Sequence, residues 1–181
     1  MIGYLPESLE IDGEQYEINS DFHIALLIFE AYNDAELSNY DKTFVCLKCL
    51  YKEIPQNAEE ALKKAVWFLD GGDMPKSKQS PVKLMDWEYD QPIYFPAVNK
   101  VAGYETRSAE YLHWWSFLGL FNEIGEGLYS QVMNIRSKLA KHKRLDKFEK
   151  EFYDSHKALI NIQEKLSPEE QEELDFIKKL V

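Results

Sequence analysis

The sequence predicts a mainly α-helical protein, a multi-helix bundle with one small β-hairpin near its amino terminus. Apolar residues recur at helical spacing through most of the 181 residues. Segment 108–127, which contains Trp114 and Trp115, is apolar around most of a helical circumference, so we expect a helix at the centre of the bundle. Strand-like alternation is confined to residues 7–18, where it flanks an Asp-Gly pair.

The hairpin is predicted at residues 7–18. Apolar and polar residues alternate there on both sides of Asp12-Gly13, with the apolar positions at Leu9, Ile11, Tyr16 and Ile18. An Asp-Gly pair between two alternating segments is a strong signal for a tight hairpin turn. Because a lone hairpin is only marginally stable, we expect it to lean on helices or to pair with another chain.

Helices are predicted through the rest of the chain, and caps and breakers place their ends. Asn57 is the expected N-cap of the third helix, Gly71-Gly72 is its expected end, and Pro92 suits the first turn of the fourth. Ser108 is the expected start of the aromatic helix, and Leu145 the expected start of one long helix. The predicted helices lie at about 22–32, 39–52, 58–70, 92–103, 108–124, 128–142, 145–166 and 168–181.

These elements predict a single helical domain at residues 1–160, which includes the hairpin, and an acidic C-terminal helical appendage at 161–181. A polar segment at 73–81, rich in turn-forming residues, predicts a flexible loop without a domain boundary. Helical periodicity also selects core positions. The residues expected to be mostly buried are Phe22, Leu26, Phe29, Val66, Leu69, Trp114, Leu118 and Val132.

Charge excludes some partners and suggests another. With 21 Lys+Arg against 32 Asp+Glu the chain is acidic, and nucleic acid is not an expected partner because its binding needs a basic surface. No apolar run approaches the length of about 20 residues that spans a membrane, and residues 1–10 do not resemble a signal peptide. A membrane is therefore not an expected partner either.

The charge is unevenly distributed along the sequence. Residues 1–41 contain no lysine or arginine, whereas the segment 136–150 is rich in both. Its cationic residues are Arg136, Lys138, Lys141, Lys143, Arg144, Lys147 and Lys150. The two segments can attract each other within one chain or between copies, or each can simply be a solvated face. Self-association is thus one possible interaction.

Candidate chemical sites are few. Cys46 and Cys49 form a C-x-x-C pair on a predicted helix, without the second pair or histidine cluster that zinc requires. Two reduced thiols packed on a helix, as in a reducing cytoplasm, is the preferred interpretation. His113 is within reach of general-base chemistry with Glu110 or Glu123, but a histidine hydrogen-bonded inside the bundle is the expected role. We therefore expect no enzyme activity, metal or cofactor.

The two adjacent tryptophans have two interpretations. Both belong to the core, or one is core and its neighbour, about 100° around the helix, contributes to a surface patch for another protein. The residues predicted to contact protein partners are accordingly Trp115 and three cations of the basic segment, Lys141, Lys143 and Arg144.

Five segments carry a family resemblance. They are MIGYLPESLE at 1–10, NSDFHIALLIFE at 19–30, AVWFLDGGD at 65–73, FPAVNKVAGYE at 95–105 and YLHWWSF at 111–117. These segments resemble the gene-product-fifteen family of tail proteins from siphophages and prophages of Gram-positive bacteria. The resemblance extends through most of the chain, to about Tyr153.

The resemblance implies a tail assembly chaperone, encoded beside the tape-measure protein. Such a protein would coat the long apolar tape measure and recruit subunits of the major tail protein, in the cytoplasm of the host bacterium. The family offers no catalytic residues to transfer onto this sequence. The alternative is a structural tail or head–tail component that is retained in the virion.

Overall fold

The computed structural model describes residues 3–73 and 83–162. Within this part of the chain lie eight α-helices, one 3-10 helix and one two-stranded sheet. The prediction of a mainly α-helical fold with an N-terminal hairpin is therefore confirmed. The loop predicted at 73–81 and the appendage predicted at 161–181 fall almost entirely outside the described residues, so the domain boundary at residue 160 stays a prediction.

Most helices begin and end near the predicted residues. In chain order the elements are β1 (Ser8–Ile11), β2 (Glu14–Glu17), α1 (Phe22–Asn33), α2 (Asn39–Leu50), α3 (Ala58–Leu69), α4 (Gln91–Ala102), a 3-10 helix (Thr106–Ser108), α5 (Trp114–Asn122), α6 (Leu128–Ala140), α7 (Lys147–Ser155) and α8 (Lys157–Ile160). The described residues form two compact units. The larger contains residues 3–5, 21–23, 67–73 and 83–162, and the smaller contains 6–20 and 24–66.

The hairpin belongs to the smaller unit. Its strands pair antiparallel, and the turn places both Asp12 (φ 51°) and Gly13 (φ 85°) in the left-handed region, as a type I′ turn requires. The chain then pairs with the end of α2, where the Asn19 N–H donates to the Leu50 carbonyl at 2.7 Å. Leu9 and Ile11 are buried. The hairpin thus leans on a helix of its own unit.

Helix α2 carries both cysteines of the chain. Ser38 caps it in a capping box with Asp41, which satisfies N–H groups at the start of the helix. Both thiols are free; Cys46 is buried and Cys49 is half-buried. Burial raises the pKa of both thiols, so both stay protonated at neutral pH.

The larger unit is built around α5. Phe117 of this helix stacks on Phe22 with 4.6 Å between ring centroids, and Trp114 lies 5.8 Å from Phe117 on the same helix. Trp87 and Tyr94 pack edge-on to these rings. The prediction of a central aromatic helix is therefore confirmed for residues 114–122.

The predicted start of this helix near Ser108 is wrong, because a tertiary interaction holds the preceding backbone extended. The Phe22 N–H donates to the Leu112 carbonyl, and the Leu112 N–H donates to the Asp21 carboxylate, both at 2.9 Å. His113 then acts as the N-cap, and its Nδ1 accepts the Trp115 N–H at 3.0 Å. The helix therefore begins at Trp114.

The long helix predicted from Leu145 is instead two helices. Asp146 caps α7 in a capping box with Glu149, and the chain breaks at His156 before α8 begins. Phe148, an apolar residue within the helix predicted at 145–166, is 79% exposed. It lies in the first turn of α7, ahead of Phe152, which packs on the core cluster of Ile93, Val132, Ile135 and Ile160.

The predicted core is confirmed at four positions, because Phe22, Leu69, Trp114 and Val132 are buried. Three further positions, Leu26, Phe29 and Leu118, are only half-buried. The prediction for Val66 is wrong, since this side chain is 41% exposed. Helix α3 buries the face that carries Ala61, Ala65, Phe68 and Leu69. Val66 follows Ala65, so its side chain points about 100° further around the helix axis and lies outside that face.

Tyr94 gives the first testable prediction. It is fully buried, and its hydroxyl has no hydrogen-bond partner in the part of the chain that the structure describes. Burial raises its pKa, so the hydroxyl keeps its proton and remains an unsatisfied donor. Tyr94→Phe removes that donor and should raise the free energy of unfolding by about 1–2 kcal/mol, measured by urea denaturation.

The matched control is Tyr51→Phe. Tyr51 is equally buried, but its hydroxyl donates to the Ala61 carbonyl at 2.8 Å. This substitution removes that buried hydrogen bond, while the Ala61 carbonyl keeps its helical donor within α3. It should lower the free energy of unfolding by about 1 kcal/mol. If both substitutions destabilise alike, an ordered water must satisfy the Tyr94 hydroxyl.

Candidate protein-interaction site

Trp115 lies half-buried against the end of α3 within the larger unit. Its indole N–H donates to the Phe68 carbonyl at 2.8 Å, and its ring meets Trp67 edge-on at 5.3 Å. Gly72 leaves room for the ring, because a Cβ on that residue would lie 3.0 Å from it. Trp114 is fully buried. The partner-binding role of Trp115 stays a prediction. In that role, the exposed part of the ring would contact the partner.

The other three predicted contact residues lie together in the connection between α6 and α7. Lys141, Lys143 and Arg144 are exposed, as are Lys147 and Lys150 at the start of α7. We call these five residues the basic corner. None of them forms an ion pair among residues 3–73 and 83–162.

Local hydrogen bonds fix the shape of the basic corner. The Lys143 N–H donates to the Lys138 carbonyl at 2.8 Å and the His142 N–H to the Leu139 carbonyl at 3.0 Å. This is the pattern of a Schellman C-cap, in which the residue at the left-handed position is usually glycine. Here it is His142, with φ 51°. Lys141 and Lys143 therefore project from a defined turn, and Arg144 follows it directly.

Two members of the predicted basic segment do not belong to this surface. Lys138 pairs with Glu149. The hydrogen bonds that Glu149 accepts from Lys138 and from the Asp146 N–H hold the pKa of Glu149 below its ordinary value. Arg136 is 5% exposed. The segment predicted as one basic face at 136–150 is therefore exposed and cationic only from Lys141 onward.

Arg136 satisfies all five of its N–H donors inside the larger unit. Its Nη1 and Nη2 grip the Asp90 carboxylate oxygens at 2.7 and 2.8 Å. Nη1 also donates to the Leu84 carbonyl at 3.0 Å, Nη2 to the Leu159 carbonyl, and Nε to the Ile160 carbonyl at 2.8 Å. This residue joins the start of α4 to α6 and α8, which makes its role structural.

A groove in the larger unit was not predicted from the sequence. It has a volume of about 420 Å³ and is lined by α4 and by the connection between α5 and α6. The lining residues are Pro92, Ile93, Pro96, Ala97, Lys100 and Val101 from α4, and residues 123–129 from the connection. Its volume is within the range of binding pockets in proteins.

The groove combines exposed apolar side chains with charges that form no ion pair in the part of the chain that the structure describes. Val101 is 38% exposed and Leu128 is 45% exposed. Lys100, Glu123 and Glu126 are exposed, and none forms an ion pair within the described residues. The sequence of this region, Gly125-Glu126-Gly127, is typical of a helix break and gives no sign of a groove.

Among the described residues, no group of three or more histidine, cysteine, aspartate or glutamate side chains is arranged so that it could hold a metal ion. The prediction that His113 is hydrogen-bonded inside the bundle is confirmed, since it is 3% exposed and caps α5. No helix within the described ranges is long and apolar enough to cross a membrane.

Comparison with known proteins gives one result. The family model described as Bacteriophage Gp15 protein matches residues 1–162. Neither the curated proteins nor the solved structures contain a match to this sequence.

Proposed function

This chain belongs to the Bacteriophage Gp15 protein family, and from that membership we propose that it is a tail assembly chaperone of a siphophage. The observation that carries the proposal is the extent of the family match, which covers residues 1–162. The match therefore includes both the groove and the basic corner. These two exposed surfaces support a role in binding other proteins.

The proposed activity is non-catalytic. The chaperone would bind the tape-measure protein in the cytoplasm of the host bacterium, keep it soluble, and bring subunits of the major tail protein to it. A long helical client exposes many similar apolar stripes, so one molecule needs only a weak contact with each. The summed affinity of many copies along one client is then much higher than the affinity of each contact.

Co-expression with the tape-measure protein of the same phage tests the proposal. We expect the tape-measure protein to be insoluble alone, and soluble and co-purified when this chain is present. A helical protein of similar size and net charge serves as the control for a general effect of co-expression. A tape-measure protein that stays insoluble and unbound in the presence of this chain would contradict the proposal.

Mass spectrometry of purified virions separates the chaperone from the alternative, a structural tail or head–tail component. We expect the chain to be absent from the finished particle, because a chaperone leaves its client as the tail-tube subunits replace it. Detection at a stoichiometric copy number would instead support the structural role.

Self-association through the basic corner is a further prediction. The hairpin and the residue before it expose Glu7, Glu10, Asp12 and Glu14, and none of these carboxylates forms an ion pair among the described residues. An acidic hairpin of one copy that meets the basic corner of the next gives a head-to-tail contact, which extends along a client. Exposed ion pairs are individually weak, so we expect association that depends on concentration and disappears at high salt.

Sedimentation in low and high salt measures this association. Reversal of Lys141, Lys143 and Arg144 to glutamate should abolish it. The control reverses Lys42, Lys48 and Lys64, which changes the net charge equally at other places on the surface. A strict monomer at about 100 μM in low salt, or equal loss of association in both variants, would contradict the prediction.

A further inference from the structure

We propose that the groove between α4 and the α5–α6 connection binds an amphipathic helix that carries basic residues along one side of its apolar stripe. This inference deepens the proposed function, on which it rests, because it assigns the client helix a place on the surface. The proposal depends on the length of the groove, on its apolar lining and on the position of its charges.

The groove is elongated along α4. Its lining residues from that helix fall in two rows with a spacing of four residues, Pro92–Pro96–Lys100 and Ile93–Ala97–Val101. Each row spans nine residues, and the eight steps between its ends correspond to about 12 Å along a helix axis. A groove of this length accepts about two turns of a second helix, and rows at this spacing form the ridges that helices use when they pack together. A compact small molecule would not need this length.

The apolar lining is the part of the groove that a helical stripe would cover. Ala97, Val101 and Leu128 are apolar, and the last two are more than a third exposed. Burial of such side chains against the leucine-like positions of a partner removes apolar surface from water. A partner helix with apolar residues at i, i+3, i+4 and i+7 would present them on one face, as is usual when a helix binds in a groove.

The charges that line the groove predict the sign of the charges on the partner helix. Glu123 and Glu126, both in the α5–α6 connection, have no cationic partner among the described residues, whereas Lys100 supplies one positive charge from α4. The C-terminal end of α5 adds about half a negative charge beside them, and the start of α6 adds a similar positive charge. The α5–α6 connection is therefore negative on balance, and it favours basic residues on the flank of the partner that faces it.

Pro96 gives a second reason to expect a partner that carries hydrogen-bond donors. Proline has no N–H group, so the carbonyl of Pro92 lacks the donor that it would receive in a regular helix. Both prolines line the groove. An acceptor without its helical donor beside the groove can bind a lysine or arginine side chain from the partner.

Two synthetic helical peptides of about 18 residues probe the groove directly. Both carry a leucine stripe, flanked on one side by lysines in the first peptide and by glutamates in the second. We expect the intact protein to prefer the lysine peptide in fluorescence anisotropy. Reversal of Glu123 and Glu126 to lysine should weaken binding of that peptide about tenfold and strengthen binding of the glutamate peptide.

Leu128→Asp tests the apolar lining without loss of the fold. Leu128 is the first residue of α6, where a carboxylate is favourable, so the variant should remain folded. It should weaken the lysine peptide several-fold, because it places a charge where the leucine stripe would lie. It should weaken the glutamate peptide more strongly, because the new carboxylate also repels the acidic flank of that peptide. The control is Glu151→Lys on the exposed surface of α7, which should leave binding unchanged. Equal binding of both peptides by the intact protein, or unchanged binding by both groove variants, overturns the proposal.

The same variants separate this inference from the proposed function. If the intact protein captures the tape-measure protein and Leu128→Asp captures it equally well, the groove is not the client site and the chaperone function stands. If the intact protein fails to capture the tape-measure protein, the proposed function fails, and with it the identity of the client, whatever the peptides show about the groove.

Discussion

Arg136→Met should lower the free energy of unfolding by about 3–5 kcal/mol, because it leaves the Asp90 carboxylate buried without its cation. Asp90 is 1% exposed, and besides Arg136 it accepts the Asp86 N–H at 2.9 Å. Methionine retains much of the side-chain volume, so the loss reflects the charge and the five hydrogen bonds more than a cavity. Chemical denaturation measures the change.

The matched control is Arg144→Met, which removes an exposed arginine from the basic corner. It should change the free energy of unfolding by less than about 0.5 kcal/mol. The double variant Asp90→Asn, Arg136→Met should recover part of the loss, because no buried charge then remains. If Arg136→Met costs no more than Arg144→Met, the Arg136–Asp90 pair does not hold α4, α6 and α8 together.

Asp86, whose N–H donates to Asp90, is a second carboxylate held in place beside the Arg136–Asp90 pair. Burial alone would raise the pKa of this carboxylate, but hydrogen bonds from Lys83 and from the N–H groups of Tyr89 and Glu88 hold it below its ordinary value. Asp86 therefore stabilises the fold at neutral pH, and its contribution is lost as the pH falls through its lowered pKa. The segment before α4 thus depends on the ionised form of Asp86.

The sequence predicts elements well where local signals decide the outcome. The Asp12-Gly13 turn places the hairpin, Asn57 caps α3, and Pro92 lies in the first turn of α4, all as local chemistry requires. The smaller unit has its hairpin and two of its helices close to their predicted positions for this reason. Caps and turns act over a few residues, so one sequence suffices to identify them.

Interactions between distant residues explain the errors. The apolar pattern continues through Tyr111, yet α5 begins at Trp114, because Asp21 and Phe22 pair with the backbone before it. Tertiary pairing overrides local helical preference there. Arg136 stands four residues after Val132, close to the apolar face of α6, whereas Lys141 follows the helix. The sequence still gives no sign of the buried Asp90 with which Arg136 pairs.

The candidate site was predictable only in part. A cluster of cations in sequence signals the basic corner, because neighbouring residues in one turn remain neighbours in space. The groove has no such signal, since it forms where α4 meets a connection some 20 residues later in the chain. The exposure of Phe148 likewise has no local signal: this residue is apolar and stands four residues before Phe152, yet it is 79% exposed in the first turn of α7.

Substitution of the two adjacent tryptophans should separate the core from the surface. Trp114 is fully buried, and its indole N–H donates to the Leu69 carbonyl at 2.9 Å. Trp114→Ala should lower the free energy of unfolding by about 3–5 kcal/mol, because it opens a cavity among the rings around α5 and orphans that carbonyl. Chemical denaturation, followed by the fluorescence of the remaining tryptophans, measures the loss.

Trp115→Ala is the matched comparison, because it removes the same side chain one position along the same helix. Trp115 also donates its indole N–H to a carbonyl, that of Phe68, but its ring is only half-buried. We expect a loss of about 1–2 kcal/mol, from one hydrogen bond and part of the apolar area. Equal losses at both positions would make Trp115 a core residue and remove it from the candidate interaction surface. A small loss accompanied by weaker capture of the tape-measure protein would instead support its predicted role in partner binding.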